Sequence, residues 1–146
     1  MRWRRVLIGA GALGVAIQWI PVDRDNPPVT LEISAPQPVL QVLRRSCYDC
    51  HSNLTRWPWY SRVAPVSWLV AYDVHEARRH MNFSTWDRYD DEDRRHARKE
   101  IRGVLKDGEM PLPYYLPLHP EARLSEADVA LVQDWARSGD SGPEPR

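Results

Sequence analysis

The chain opens with a basic cluster and then runs fifteen positions without a charge. Arg2, Arg4 and Arg5 precede the apolar stretch Val6 to Ile20, and Pro21, Asp23, Arg24 and Asp25 end it. A charged start followed by such a run predicts an export or anchoring segment over residues 1–21. Fifteen helical residues reach only about 22 Å against a hydrocarbon core of about 30 Å, which on length favours a cleaved signal peptide. The flanks favour an uncleaved single-pass anchor. Trp3 and Trp19 stand near the two ends, and the small-residue pair Ala10 and Ala12 comes too early in the run for cleavage. In either case the arginines stay cytoplasmic and everything after Pro21 is exported.

Beyond the apolar run the periodicity is helical wherever it is regular, and no segment sustains strand alternation. Residues 22–38 hold Pro27, Pro28, Pro36 and Pro38, which predicts an extended tether standing a domain off the membrane. From residue 39, Val39, Leu40, Val42 and Leu43 form the apolar face of a short helix that leads into Cys47. Pro65 opens a second helix, with Val66, Leu69, Val70, Val74 and Ala77 at helical spacing and an end near His80. Ser84 with Asp87 reads as a capping box. The acidic stretch Asp90 to Asp93 before the basic stretch Arg94 to Lys106 suits a helix macrodipole. Ala97, Ile101, Val104 and Leu105 supply that helix's buried stripe, and Gly108 ends it. Ser125 with Asp128 caps a last helix whose face is Leu131, Val132, Trp135 and Ala136, and residues 139–146 form a frayed tail. The expected architecture is all-α: one domain over 39–138 behind an N-terminal transmembrane or signal helix.

Composition narrows the function classes. At 146 residues the chain accommodates one ordinary domain. Twenty Lys and Arg balance 20 Asp and Glu, so no basic field invites nucleic acid or suggests a particular protein partner. Thirteen prolines and seven tryptophans with few glycines indicate short helices joined by stiff turns. The two cysteines lie three positions apart, a spacing that closes too small a loop to staple a fold and points to chemistry instead.

That chemistry is written in Cys47-Tyr48-Asp49-Cys50-His51. Two thiols at this spacing reach the two vinyl groups along one edge of a haem, and the adjacent His51 projects its imidazole to the iron. Thioether attachment requires export, and the N-terminal segment independently predicts export. A zinc site would want a second cysteine pair or a paired histidine cluster, a thioredoxin-like pair would want a βαβ setting, and a local disulfide is the remaining alternative. For a distal iron ligand, Met110 is the first candidate, on the turn Gly108-Glu109-Met110-Pro111, with His80 as the alternative. His75 and His80 are five apart, roughly 140° around a helix, which excludes a zinc-protease arrangement. Trp57, Trp59, Tyr60, Trp68 and Trp86 suit the walls of a flat-cofactor pocket, and Arg56 and Arg62 could pair with propionates. Tyr114 and Tyr115 are candidates for a docking surface near the distal loop.

Together these residues resemble the bacterial haem-binding domain family, whose members are small proteins with an N-terminal membrane segment and one C-x-x-C-H. The likeness runs from about Trp19 to Ser138. It rests on Asn26-Pro27-Pro28, Cys47 to Asn53, Trp57-Pro58-Trp59-Tyr60, Ala64-Pro65-Val66-Ser67-Trp68, His80 to Trp86, Met110-Pro111-Leu112-Pro113 and Leu124-Ser125. The resemblance implies haem binding in a mostly helical, cytochrome-c-like domain, and supplies neither a reaction nor a partner. The expected function is electron transfer by one covalent haem c, in a bacterial inner-membrane protein whose domain faces the periplasm and meets an unidentified redox partner protein. A soluble periplasmic form after cleavage is the alternative location. A haem-based sensor or binding module, or a small peroxidase with an open distal site, are the alternative functions.

Overall fold

The computed structural model describes residues 2–138; the tail expected over 139–146 lies outside them. Among the described residues six α-helices form: α1 (Arg2–Ala16), α2 (Gln37–Ser46), α3 (Tyr48–His51), α4 (Val66–His80), α5 (Asp91–Lys106) and α6 (Glu126–Ser138). Single 3₁₀ turns at Ile17–Trp19, Trp59–Arg62, Trp86–Arg88 and Pro120–Ala122 punctuate the connections. Among the described residues there is no strand, only one isolated parallel bridge between Leu31 and Thr85. The described residues are all-helical in class.

Helix α1 has fifteen residues, none of them buried. Among the described residues no helix is long and apolar enough to cross a membrane. The single-pass transmembrane helix expected from the flanking tryptophans therefore has no counterpart here, and the reason is length, since fifteen residues rise about 22 Å.

The core gathers where α2, α5 and α6 meet. Val39, Val42 and Leu43 of α2 pack with Ala97 and Ile101 of α5 and with Val132, Trp135 and Ala136 of α6, so the first domain helix pairs with the last. Arg98 of α5 lies over the Trp135 ring at 4.5 Å, and Arg102 donates to the Ala136 carbonyl at 3.1 Å. Two arginines thus serve the carboxyl-terminal carbonyls of α6, where positive charge and N–H donors are both favourable. Helix α6 begins with the expected capping box: Ser125 Oγ accepts from Asp128 N while Asp128 Oδ2 accepts from Ser125 N. Helix α5 ends in the expected glycine, with Gly108 at φ 68° and Glu109 N donating to Val104 O at 2.9 Å.

Two local expectations are corrected. The capping box at the start of α5 is Asp90 with Asp93, not Ser84 with Asp87; Ser84 is fully buried and its hydroxyl accepts from Asn53 N. Residues 22–36 are extended as predicted, with 37 and 38 already in α2, but they lie along the domain rather than hold it off. Thr30 N donates to Ser84 O, Ile33 N to Phe83 O, and Trp86 N returns to Leu31 O. Ile33 is 2% exposed and belongs to the core. Proline content predicts an extended backbone correctly and is silent on what that backbone lies against.

Candidate functional site

Helix α2 delivers the cysteines. Its last turn ends at Ser46, Cys47 breaks the helical geometry, and α3 reopens at Tyr48, so the five-residue motif wraps a corner instead of continuing a helix. Cys50 N and His51 N both donate to Cys47 O, at 3.2 and 2.9 Å. This corner turns Cys47, Cys50 and His51 onto the wall of one cavity of about 640 Å³. Apolar residues of α2, α4 and α5 line most of it, among them Leu43, Leu69, Val74, Ile101 and Val104. Such a volume lies within the roughly 300–1,000 Å³ of small-molecule and cofactor sites.

The imidazole of His51 is fixed from behind. Its Nδ1 lies 3.0 Å from Met81 O, and since a carbonyl can only accept, Nδ1 carries the proton and Nε2 keeps its lone pair. Burial lowers the His51 pKa, which also favours the neutral ring a metal requires. Phe83 N donates to His51 O at 2.8 Å, and the Phe83 ring sits 5.8 Å from the imidazole. The segment holding Met81 and Phe83 is braced in turn. Asn82 Nδ2 donates to Asn53 Oδ1, Ser84 N to Asn82 Oδ1, Asn53 N to Ser84 Oγ, and Asn53 Nδ2 to Pro28 O. The stretch His80 to Trp86, without an evident task in the sequence, is the clamp behind His51.

Both cysteines are free, and burial pushes each thiol up to about 12, assisted by Cys50 at Cys47 and by Asp73 at Cys50. A thioredoxin-like nucleophile needs the opposite shift, because the thiolate is the reactive species. Nor does a zinc set assemble: among the described residues no group of three or more His, Cys, Asp or Glu side chains could hold a metal ion. Two protonated thiols and one neutral imidazole on the wall of an apolar cavity of this size fit a haem.

Met110 and His80 both reach the cavity, on different terms. Met110 is partly buried on the loop after α5. His80 is 65% exposed at its side chain and pairs with Glu100 at 3.3 Å. Of the five expected aromatic wall residues only Tyr60 lines the cavity; Trp86 is core, and Trp57, Trp59 and Trp68 lie elsewhere. Phe83, Tyr114 and Tyr115 take their place, so the tyrosines read as a docking surface belong to the wall. Arg56 lines the cavity but is held by Asp49, its Nε and Nη2 donating to the two carboxylate oxygens at 3.2 and 3.1 Å; Arg62 does not line it.

One polar array was not legible beforehand. Tyr115 OH donates to Asp49 Oδ2 at 3.0 Å, and the Tyr115 ring stacks on His119 at 4.0 Å. His119 Nε2 also contacts Tyr60 OH, and Tyr114 OH donates to Asp73 Oδ2 at 3.0 Å. Burial and then Asp73 push the Tyr114 hydroxyl up to about 12, and burial with Asp49 raises that of Tyr115, so both stay donors. These bonds fasten the loop carrying Met110 across the cavity to α3, α4 and the Trp59–Arg62 turn. Asp49, between the two cysteines, was the available signal, since an acidic residue fixed inside such a motif invites a search for distant donors.

No curated protein and no solved structure matches the chain. The family model described as haem-binding domain matches residues 12–138. That span takes in the cavity, both thiols, His51 with its clamp and the whole helical core, and on it the chain belongs to the haem-binding domain family.

Proposed function

We propose that this protein is a c-type cytochrome domain that carries electrons, with one haem attached through Cys47 and Cys50 and His51 as its proximal iron ligand. The observation that carries the reading is the wall on which two thiols and an Nδ1-anchored imidazole face one apolar cavity. When bound, haem supplies a reversible one-electron iron couple. The residues contribute orientation and exclusion of water. The Met81 carbonyl holds the ring plane and tautomer of His51, the clamp from Asn53 to Ser84 keeps that carbonyl in place, and the aliphatic wall keeps the site dry. Met110 is the distal ligand of choice over His80, because His80 is exposed and engaged with Glu100. Held by both His51 and Met110, the group would supply electron transfer rather than the ligand binding of a peroxidase or gas sensor.

We further propose that the domain works on the exported side of a bacterial inner membrane, associated with it through α1, and meets a redox protein there. Arg2, Arg4 and Arg5 before the charge-free run support this orientation.

The test is a denaturing gel stained for haem, with reduced and oxidised spectra, on full-length protein exported in a host equipped for haem attachment. Wild type retains stain and shows low-spin reduced bands; Cys47→Ser with Cys50→Ser loses the stain. Wild-type protein without covalent haem in that host overturns the reading. Rapid carbon monoxide binding by the reduced protein would overturn the six-coordinate carrier in favour of a sensor or peroxidase.

A further inference from the structure

Within the charge-free run Val6 to Ile20, Gln18 is the one side chain besides Trp19 able to hydrogen-bond, and it is turned toward the domain. Its Oε1 accepts from Ala64 N at 2.9 Å and its Nε2 donates to Ala64 O at 3.1 Å, while Nε2 also reaches Gly14 O within α1. Arg24 adds a second tie, donating from Nη1 to Ser61 O at 3.0 Å. The residues just after α1 are therefore fastened to the Trp59–Ala64 turn at two points.

Around these ties the surface is apolar and aromatic. Trp19 is 86% exposed, Ile20 51%, Trp59 75% and Val63 45%, with Arg62 also exposed among them. Beyond the arginines of its first turn, α1 has apolar side chains on all sides and buries none of them. A helix apolar all round needs an apolar medium. Tryptophan, with a large ring and one N–H, settles at a membrane–water boundary, and arginine reaches from there to phosphates.

We infer that the Trp59–Ala64 turn is a membrane seat: α1 inserts into a phospholipid bilayer, and the ties through Gln18 and Arg24 lay Trp59, Arg62 and Val63 on its headgroup region. The inference rests on the membrane association proposed above for α1. The shortness of α1 works in its favour, because fifteen residues end about 22 Å from their start and leave the residues fastened just after them close to the surface that α1 enters. The same turn carries Tyr60 into the cavity wall, so the seat places one wall of the haem site beside the membrane, within reach of a membrane-resident partner.

The experiment uses the full chain in vesicles of phosphatidylethanolamine and phosphatidylglycerol, with a photoreactive benzoylphenylalanine replacing Trp19, Trp59 or the exposed Lys99 of α5, and mass spectrometry of the adducts after irradiation. Lipid adducts are expected at positions 19 and 59, with a yield at 99 about tenfold lower, since interfacial burial reaches only about 5–10 Å. In a Gln18→Leu, Arg24→Ala background the adduct at 59 falls and that at 19 persists. Adducts at 19 alone overturn the seat and leave the association of α1 standing. Adducts at neither position overturn both. Equal yields at 59 and 99, or a cross-linked second copy in place of lipid at 59, also overturn the seat.

Discussion

Arg78 shows how one residue sets the geometry of a site it does not line. Its side chain is 8% exposed, and its donors are spent on Ser52 O, Asp25 O, Asn26 Oδ1 and Thr55 Oγ1 at 2.8–3.0 Å. These acceptors belong to the extended N-terminal segment and to the loop just after His51, so the guanidinium pins one to the other beneath the Trp57 ring. Removing it leaves the Ser52 carbonyl with only the long 3.4 Å bond from the Thr55 hydroxyl and takes one partner from that hydroxyl, both on buried residues. Arg78→Met is therefore expected to cost about 3 kcal/mol, read as a fall in the denaturant midpoint. Arg78→Lys should recover well under half of that, because a point charge cannot serve several acceptors in one plane. An unchanged midpoint in the methionine variant would show that the pin is not needed. At this scale the sequence was informative where chemistry is local: Cys47, Cys50 and His51 fall within five positions, and the fold brings all three to one cavity wall. Arg78 and His119 were opaque because their meaning comes from partners up to 59 positions away.

The elements were legible where pattern and cap agree. Helices α2, α4, α5 and α6 follow from apolar spacing, yet two identical-looking signals, Ser84 with Asp87 and Ser125 with Asp128, had different outcomes. Ser125 stands in solvent ahead of a free run of helical residues, whereas Ser84 is buried and its hydroxyl serves the clamp behind His51. A cap motif works only when no tertiary acceptor or donor competes for the hydroxyl. For α6 the cap has a pH signature. The Asp128 carboxyl is held below its usual range, first by the Ser125 hydroxyl, then by the Ser125 N–H and by Arg45. A carboxylate depressed in the folded state contributes stability that is complete above the unfolded value of about 3.9 and vanishes as pH falls through the lower folded value. Wild type should accordingly exceed Asp128→Asn in stability at pH 6, with the gap closing on acidification below about pH 4. A gap that is constant across this range would mean the carboxylate charge has no part in the cap. Ser125→Ala should cost about 1 kcal/mol at neutral pH, measured by the same denaturant titration.

Taken as a whole, the molecule divides into a part that packs on itself and a part that packs across the cavity. The first includes the segment read from its prolines as a tether. Ile33→Ala is expected to cost about 3 kcal/mol, as for any core isoleucine, where a solvated tether would lose nothing; a denaturation midpoint identical to wild type would return the segment to the role of spacer. Its docking was hidden from the sequence because the groups that receive it, Asn53, Arg78, Phe83 and Ser84, come after it in the chain and are assembled only by the fold. The second part is the loop from residue 107 to residue 122. Beyond Ala122, which is fully buried, it is held largely by bonds that cross the site: Tyr114 to Asp73, Tyr115 to Asp49 and His119 to Tyr60. Helices α2, α5 and α6, by contrast, share the continuous core of Val39, Leu43, Ile101, Val132 and Trp135. Local stability follows buried apolar contact, so the loop should open first and should gain most when a large apolar group fills the cavity. Hydrogen exchange on the haem-free Cys47→Ser, Cys50→Ser chain is expected to be about a hundredfold faster over 107–119 than in haem-loaded wild type, with α6 nearly unchanged. Equal acceleration in the loop and in α6 would mean instead that haem holds the entire core together and that the two parts are one cooperative unit.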